Sequence, residues 1–495
     1  MISFKEALEK IEYIENRFPV ENWLINDFHI WPFLRLSIYN LYLCRKSNFT
    51  TNNNPAIINK FKEFIFSILH AIIFEFKPLN AEVLTLGFTS DYALVNNKYF
   101  NRYLDYFNYK FKSSGIRILP LEIESKNIPF NSKSSSINIS NSFKINVFIL
   151  TIYLRIKNKI FKKNYADLNG FDELLVYLVK EGLKVDSITK NSLEFDLIYR
   201  QAELSYFKRL LRRVKPQLII VSYFLDRANN TLIAAGKQYG IKTMEIQHGI
   251  AGSVHSAYFK WTKFPRKGYA VFPDVFWTWG LSEASAIHSW NFSNTNYKPI
   301  TIPGGNVWLE AWRENLLEDF GISVLKYSKL VDKNEFNILL TLQLPTIPEI
   351  FLELIKDSPK HYKWWIRIHP SLMSDFRYYD SIFSNMTDKV DFKNASEYPL
   401  FSILPNVNLH VTDFSSVAIE AAQFGVKTIF VSEDSAWLFR SFIPTEFIGI
   451  CENSKDFLAI SRKLYSKSNF DFSTTKDSSA NLGFSILTNI LNNIN

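Results

Sequence analysis

Cysteine is scarce in this sequence, which has only two in 495 residues, Cys44 and Cys451, far apart along the chain. This scarcity excludes a disulfide framework and a metal cluster with cysteine ligands, and it is typical of a reducing compartment. The histidines are scattered without the spacing of metal ligands, and no Asp-x-Asp metal motif is present. The sequence therefore predicts neither a metal site nor a bound cofactor.

Long apolar runs are also missing. A helix that crosses a bilayer needs about 20 consecutive apolar residues, and the most apolar windows, 66–76 and 147–156, are much shorter. The first residues, MISFKEALEKIEYIENRF, place charges between apolar residues at helical spacing, which is not the pattern of a secretory signal. We therefore expect a cytoplasmic protein that does not span a membrane.

Positive charge is in excess, since 57 Lys and Arg against 48 Asp and Glu give a net charge of +9. An anionic partner is therefore favoured, such as a nucleotide sugar, a phospholipid-linked acceptor, a membrane surface or nucleic acid. Segment 144–163 is basic, lacks acids and has apolar residues at helical spacing. Two interpretations are open: a helix resting on the anionic inner face of the cytoplasmic membrane, or a helix packed on its own domain with a solvated basic edge.

The order of apolar and polar segments predicts the fold. Stretches 46–59 and 126–141 are rich in Asn and Ser and predict surface loops. Beyond residue 80, short apolar runs alternate with segments of helical period, as in parallel sheets covered by helices. The predicted strands are 83–87, 116–120, 218–222, 243–247, 275–279, 299–303, 337–342, 364–368, 409–412 and 428–431.

We therefore predict an α/β protein of the GT-B type, with two Rossmann-like, doubly wound domains facing a central cleft. Residues 1–305 would form an amino-terminal, acceptor-side domain with a helical extension. Residues 306–480 would form a carboxyl-terminal domain that binds a nucleotide sugar. Residues 481–495 would form a helix that packs back on the amino-terminal domain.

Candidate catalytic residues follow two strands of the first predicted sheet, where open α/β sheets bind their ligands. His248, in the sequence QHG, is a candidate general base, because a neutral imidazole can take a proton from an attacking hydroxyl. The alternative is a histidine that satisfies backbone groups at a turn. Asp226 is a second candidate base, with a helix cap as the alternative. Asp91 and Asp105 are the remaining acidic candidates.

Candidate donor-binding residues follow two strands of the second sheet. Arg367 and His369 lie on one side of a strand end and can donate to a diphosphate, although an ordinary strand-to-loop junction is the alternative. Ser415 is expected to cap the next helix, and together with Ser416 and the helix amides it can form a phosphate pocket. The alternative is capping alone. Glu420, one turn further on, can reach a ribose hydroxyl.

A family resemblance rests on four motifs that occur in one order along the chain: QHG at 247–249, TWG at 278–280, RIHP at 367–370 and TDFSSVAIEAAQFG at 412–425. They resemble those of GT-B glycosyltransferases in bacterial capsule, O-antigen, lipopolysaccharide and teichoic acid synthesis, over roughly residues 216–433. The chain is most similar to capsule-synthesis Kdo- and sialyl-type transferases and to CDP-glycerol polymerases. The resemblance implies a cytidine nucleotide donor, with His369 on its phosphate or cytidine, Ser415 and Ser416 on the phosphate, and His248 near the reaction centre.

The predicted function is a metal-independent glycosyl transfer. The sugar, such as a CMP-activated Kdo or sialic acid, would move from a nucleotide-sugar donor to a growing surface polysaccharide or lipid-linked glycan. The alternatives are a CDP-glycerol-type polyol-phosphate transferase, a sugar-nucleotide epimerase and a non-enzymatic polyanion-binding protein. No base-reading motif is identifiable, so nucleic acid is not a predicted partner. Peripheral contact with the inner membrane is expected only if the basic segment rests there.

Overall fold

The computed structural model describes residues 2–25, 28–43, 68–69, 71–95, 98–125, 136–160, 168–313, 335–386, 388–465 and 480–492. The predicted loop at 46–59 lies outside these residues. The chain divides into two compact units. The first unit contains Met1–Asp91, Asn101–Asn306 and Ser478–Asn495, and the second contains Tyr92–Phe100 and Val307–Asp477.

Strands and helices alternate along most of the described chain. The strands are β1 (Leu24–Ile25), β2 (Phe28–His29), β3 (Val83–Phe88), β4 (Tyr92–Val95), β5 (Lys98–Asn101), β6 (Ile118–Ile123), β7 (Ile137–Asn138), β8 (Leu218–Val221), β9 (Lys242–Ile246), β10 (Val275–Thr278), β11 (Ile300–Pro303), β12 (Phe336–Leu342), β13 (Tyr362–Ile368), β14 (Val390–Asp391), β15 (Leu409–Thr412), β16 (Thr428–Phe430) and β17 (Ile448–Ile450). The α-helices are α1 (Phe4–Arg17), α2 (Trp31–Tyr42), α3 (Asp105–Ser113), α4 (Ser140–Ile160), α5 (Phe171–Lys180), α6 (Lys190–Val214), α7 (Arg227–Gln238), α8 (Leu281–His288), α9 (Val307–Arg313), α10 (Glu349–Asp357), α11 (Phe376–Phe383), α12 (Lys393–Glu397), α13 (Leu400–Ile403), α14 (Val417–Gln423), α15 (Glu433–Trp437), α16 (Ser454–Tyr465) and α17 (Ala480–Asn492).

The first unit is built on a seven-stranded parallel sheet with the order β11-β10-β9-β8-β3-β6-β7. The chain enters at β3, runs outward to β7, and returns to the other side of β3 to form β8 to β11. The direction of winding therefore reverses between β3 and β8. Each residue of β8 is buried, as expected for a central strand with both faces covered.

The second unit is built on a six-stranded parallel sheet with the order β14-β13-β12-β15-β16-β17. Its winding reverses between β12 and β15. One face of the sheet packs on helices α10, α11 and α16 through buried apolar side chains. Examples are Leu340, Trp364, Leu354, Tyr379 and Phe457.

The prediction of two Rossmann-like, doubly wound domains is confirmed by these two sheets. Each predicted strand is present, with ends displaced by at most a few residues. The predicted loop 126–141 is wrong for its last residues, because Ile137–Asn138 pairs with Leu121 and Glu122 of β6 and α4 begins at Ser140. No helix in the part of the chain that the structure describes combines the length and apolarity needed to cross a bilayer.

Two segments belong to a unit whose other residues are distant from them in sequence. Tyr92–Phe100, which the sequence-based division placed in the amino-terminal domain, groups with the second unit, where the Phe100 ring lies 5.1 Å from that of Trp308. Helix α17 groups with the first unit. There Phe484 lies 4.8 Å from the Phe111 ring, and a side chain at Gly483 would collide with Trp277.

Candidate active site

Asp91 lies at the carboxyl edge of the first sheet, at the reversal between β3 and β8. Its Oδ2 atom accepts hydrogen bonds from the Phe88 amide at 3.2 Å and the Ser222 hydroxyl at 3.3 Å. These bonds join the ends of both strands, where open α/β sheets bind ligands. Burial raises the pKa of Asp91 to about 6, although the Arg102 charge acts to lower it. Such an acid can exchange a proton near neutral pH.

His248 lies on the same edge, two residues after the end of β9. Its ring centroid is 4.5 Å from that of Tyr223, which follows β8. The Tyr103 hydroxyl donates to the His248 carbonyl oxygen at 3.0 Å, and the Tyr103 ring meets the imidazole nearly perpendicularly at 6.2 Å. The half-buried imidazole is thus held between two tyrosines.

The glutamine of the QHG motif fixes the turn that carries His248. The Gln247 Oε1 atom accepts from the Trp279 amide at 2.7 Å, which joins the QHG and TWG motifs. Its Nε2 atom donates to the Gly249 carbonyl at 2.9 Å and to Glu283 at 3.2 Å. The buried amide of Gln247 therefore uses both its oxygen and its nitrogen in hydrogen bonds. Replacement by a residue that lacks this donor and acceptor would leave buried backbone groups unsatisfied.

Asp226 and Asp105 both accept hydrogen bonds from nearby amides. Asp226 is the N-cap of α7, and its Oδ1 accepts from the Ala228 amide at 2.9 Å. Burial raises its pKa. Asp105 accepts from the Asn101 amide at 2.7 Å, and burial raises its pKa to about 6. One oxygen of Asp226 therefore caps α7, as the helix-cap alternative predicts. The role of Asp226 as a base remains a prediction.

A buried acid, Glu245 in β9, lies close to this edge and is only 1% exposed. It accepts hydrogen bonds from the Tyr258 hydroxyl and, at 3.3 Å, from the Phe224 amide. Burial raises the pKa of Glu245 to about 8. The folded protein therefore favours the neutral, protonated carboxyl at neutral pH.

The Glu245→Gln variant is expected to become more stable relative to the wild type as the pH rises. Between pH 4.5 and about 8, the folded state binds more protons at Glu245 than the unfolded state does. This carboxyl therefore lowers stability with rising pH, by at most about 1.4 kcal/mol per pH unit, and an amide removes that dependence. Urea unfolding of both proteins at pH 5 and pH 8 measures the effect. The exposed Glu173→Gln is the matched control, and a pH-independent difference for Glu245→Gln would contradict the prediction.

In the second unit, Gln343 and Ser415 meet at the reversal between β12 and β15. Gln343 follows β12 directly, Ser415 lies three residues after β15, and the Gln343 Nε2 atom donates to the buried Ser415 hydroxyl at 2.8 Å. That hydroxyl also accepts from the Val417 amide at 3.3 Å. The N-cap residue of α14 by position is Ser416, which makes no side-chain cap hydrogen bond, so the free amide of Val417 is satisfied by Ser415, the residue predicted to cap the helix. The strand ends at Thr412, whose hydroxyl accepts a hydrogen bond from the Ser415 amide at 3.3 Å.

His369 and Arg367 lie at the end of β13, on the other side of β12 from Ser415. His369 is exposed, and its amide donates to the Leu342 carbonyl at 2.9 Å. Arg367 donates to the carbonyl oxygens of Ala395 at 2.7 Å and Tyr398 at 2.5 Å. Arg367 therefore holds the segment around α12. His369 and Ser415 follow strands that end on one edge of the sheet, and the axes of these strands, β13 and β15, are about 10 Å apart at two strand spacings.

The buried His410 contacts hydroxyls of the two strands that flank β15. The His410 Nε2 atom lies 2.8 Å from the Thr341 hydroxyl, and its Nδ1 atom lies 3.1 Å from the Thr428 hydroxyl. Burial lowers the pKa of His410 to about 3, so the ring is neutral.

Glu420 is half-buried in the first turn of α14. Among the described residues, no group of three or more His, Cys, Asp or Glu side chains is placed to hold a metal ion.

Several residues of these two edges were not predicted as site residues: Gln343, Tyr103, Tyr223 and Ser222. Gln343 could have been found, because it is the first polar residue after an apolar strand. Tyr103 could not, since it follows no predicted strand.

The sequence matches no protein-family model and no curated protein. Among solved structures, it is similar to a UDP-GlcNAc 2-epimerase from Neisseria meningitidis bound to UDP-GlcNAc, at 13% identity and a TM-score of 0.46, covering 83% of this chain and 99% of that one. It is also similar to the wall teichoic acid polymerase TagF, at 11% identity and a TM-score of 0.42, covering 94% of this chain and 98% of that one. The spinosyn rhamnosyltransferase SpnG has 10% identity and a TM-score of 0.39, covering 82% of this chain and 100% of SpnG. This similarity is one of architecture and identifies no donor, acceptor or reaction for this chain.

Proposed function

We propose that the protein is a glycosyltransferase that moves a sugar from a nucleotide donor to a growing surface polysaccharide or lipid-linked glycan. The observation that supports this proposal is the position of the polar side chains. In each unit they gather at the carboxyl edge where the winding of a parallel sheet reverses, which is the ligand-binding position of this architecture.

The second unit is proposed to bind the donor. The hydroxyl of Ser416 and the exposed His369 would donate to the phosphates, while Gln343 holds the Ser415 hydroxyl at the edge. Hydrogen bonds to a leaving phosphate stabilise the charge that develops there in the transition state. Glu420 would accept from a ribose hydroxyl. Arg367, whose guanidinium binds two carbonyl oxygens, would position the segment beside His369.

The first unit is proposed to bind the acceptor. His248 would take the proton from the attacking hydroxyl, with its ring positioned by Tyr223 and Tyr103. Asp91, on the same edge, is the second proposed proton acceptor, because its raised pKa suits that role. Asp226 is the third, through a carboxylate that also caps α7.

The donor is proposed to be a cytidine nucleotide, with a CMP-activated ulosonic acid as the substrate class. Assays with CMP-ulosonic acids, CDP-glycerol and UDP-sugars test this choice through the release of free nucleotide. Turnover of CDP-glycerol alone would identify a polyol-phosphate transferase instead. Interconversion of a UDP-sugar with its epimer, without transfer, would identify an epimerase.

Cytidine nucleotides are expected to raise the melting temperature of the protein more than UDP or GDP does, because a ligand of the folded state stabilises it by mass action. His369→Ala is expected to weaken nucleotide binding about tenfold, as one charge-assisted hydrogen bond is lost. A thermal-shift titration with CMP, CDP, UDP and GDP measures both effects.

His361→Ala is the matched control, because His361 is also exposed but lies at the opposite end of β13. It is expected to keep the affinity of the wild type. An equal loss in both variants would contradict a role for His369 in binding, and a melting temperature unaffected by cytidine nucleotides would contradict the choice of base.

A further inference from the structure

Helix α4 turns a broad apolar face outward. Five large apolar side chains on it are 44–57% exposed: Phe148, Ile149, Ile152, Tyr153 and Ile156. At 100° per residue they occupy an arc of roughly 140° around the helix axis. Soluble proteins seldom expose apolar side chains together in this way, and such a face marks a site of interaction.

The opposite face of α4 packs on α6. Phe143 contacts the rings of Tyr206 and Phe207 at 5.4 and 5.5 Å, and Val147 and Thr151 are buried one and two turns further along. Residues spaced by four thus bind the helix to its unit. The helix therefore has an apolar inner face that is packed on its own unit and, within the part of the chain that the structure describes, an apolar outer face that is exposed.

Basic side chains border the outer face. Lys144 and Arg155 are exposed on one side of the apolar arc, and Lys157 is exposed on the other. No acid occurs within α4. The acid that approaches its beginning is Glu124, whose carboxylate lies 3.4 Å from Lys144. The described part of this face is thus apolar in its centre and positive at its borders.

A second segment linked to α4 also exposes apolar side chains. Ile72, Ile73 and Phe76 are 50–83% exposed, beside Glu75. The Arg209 guanidinium of α6 lies 2.7 Å from Glu75 and donates to Asn146 of α4 at 2.6 Å. One arginine therefore ties residues 71–76 to α4.

We propose that this face, formed by the outer side of α4 and residues 72–76, docks on an anionic lipid bilayer. An interfacial helix has this pattern: the apolar arc enters the boundary of the acyl chains, and the bordering cations contact the anionic headgroups. The choice of a bilayer over a protein partner rests on this complementarity of charge. If α4 only packed on its own domain and presented a solvated basic edge, its apolar residues would face inward, whereas five of them are exposed. The proposal does not depend on the donor or the reaction.

Cosedimentation of the full chain with vesicles tests the proposal. The wild type is expected to bind vesicles of phosphatidylglycerol and phosphatidylcholine, to bind pure phosphatidylcholine more weakly, and to lose affinity as salt rises. Phe148→Ser/Ile152→Ser/Ile156→Ser is expected to remove measurable binding. Lys144→Gln/Arg155→Gln/Lys157→Gln is expected to weaken binding about hundredfold, at about 1 kcal/mol for each cation near the surface.

The matched control is Val176→Ser/Val179→Ser, which removes two apolar side chains that are 54% and 56% exposed on α5 of the same unit. It is expected to bind vesicles like the wild type. Circular dichroism and the melting temperature verify that each variant is folded. Equal binding by the α4 variants and the wild type, or no preference for anionic vesicles, would overturn the proposal. So would a lipid-free dimer in sedimentation equilibrium that the serine variant converts to monomer, because a second copy would then cover the face.

Discussion

Replacement of His248 by alanine is expected to lower the turnover of sugar transfer by about 10²- to 10⁴-fold, the usual contribution of a general base. The affinity for the nucleotide is expected to change less than about twofold, because the proposed donor site lies on the other sheet. The physical reason is that an acceptor hydroxyl would lose the group that removes its proton. Steady-state transfer rates, together with the thermal-shift titration, separate the two effects.

His288→Ala is the matched control, since His288 is an exposed histidine of the same unit at the end of α8. It is expected to retain the turnover of the wild type. Asp91→Asn tests the competing assignment, because an amide keeps the acceptor for the Phe88 amide and the Ser222 hydroxyl. If Asp91→Asn abolishes transfer while His248→Ala preserves it, the proton acceptor is Asp91 and not His248.

The central strands could be predicted from the sequence because they are apolar on both faces. β8 reads Leu-Ile-Ile-Val and is buried at every residue, so composition alone reveals it. The edge strands β7, β14 and β17 could not be predicted, since each has only two or three residues and depends on pairing with a neighbour. Their formation is a consequence of tertiary structure rather than of local preference.

The position of the candidate residues at strand ends could be predicted for the same reason: polar groups that end an apolar strand stand out. The pairs between them were not found, because they depend on strand order. Ser222 meets Asp91, 131 positions away, only because β8 returns beside β3. Gln343 meets Ser415 only because β15 returns beside β12. A single sequence does not show which strands become neighbours in the sheet. The positions where the winding reverses depend on this strand order and could therefore not be predicted either.

The same limit applies to the amino-terminal helices, whose role is visible only in three dimensions. Arg35 of α2 and Glu15 of α1 form an ion pair whose side chains are 1% and 0% exposed. The Arg35 Nε atom donates to the Ser256 carbonyl at 2.8 Å, and its guanidinium lies 4.0 Å from the Trp261 ring centroid. Glu15 also accepts from the Thr262 amide at 2.9 Å. The pair therefore fixes segment 256–262, which begins eight residues after His248.

Replacement of Arg35 by methionine is expected to reduce the free energy of unfolding by about 3–5 kcal/mol, because it leaves the carboxylate of Glu15 buried without its cation. Transfer activity is expected to fall as well, since segment 256–262 loses its anchor and lies in the same connection between β9 and β10 as His248. The midpoint of urea unfolding measures the first effect, and the transfer rate at a temperature where the variant is folded measures the second.

Two further variants separate the buried charge from the loss of packing. Arg35→Met/Glu15→Gln is expected to be more stable than Arg35→Met alone, because the unpaired charge is gone while an acceptor oxygen remains. Lys5→Met is the matched control on α1, where Lys5 and Glu9 form an exposed ion pair at 3.9 Å. Exposed pairs contribute less than about 1 kcal/mol, so this variant should resemble the wild type. If the double variant were as unstable as Arg35→Met, the anchor would depend on the arginine's contacts with Trp261 and the Ser256 carbonyl rather than on neutralising Glu15.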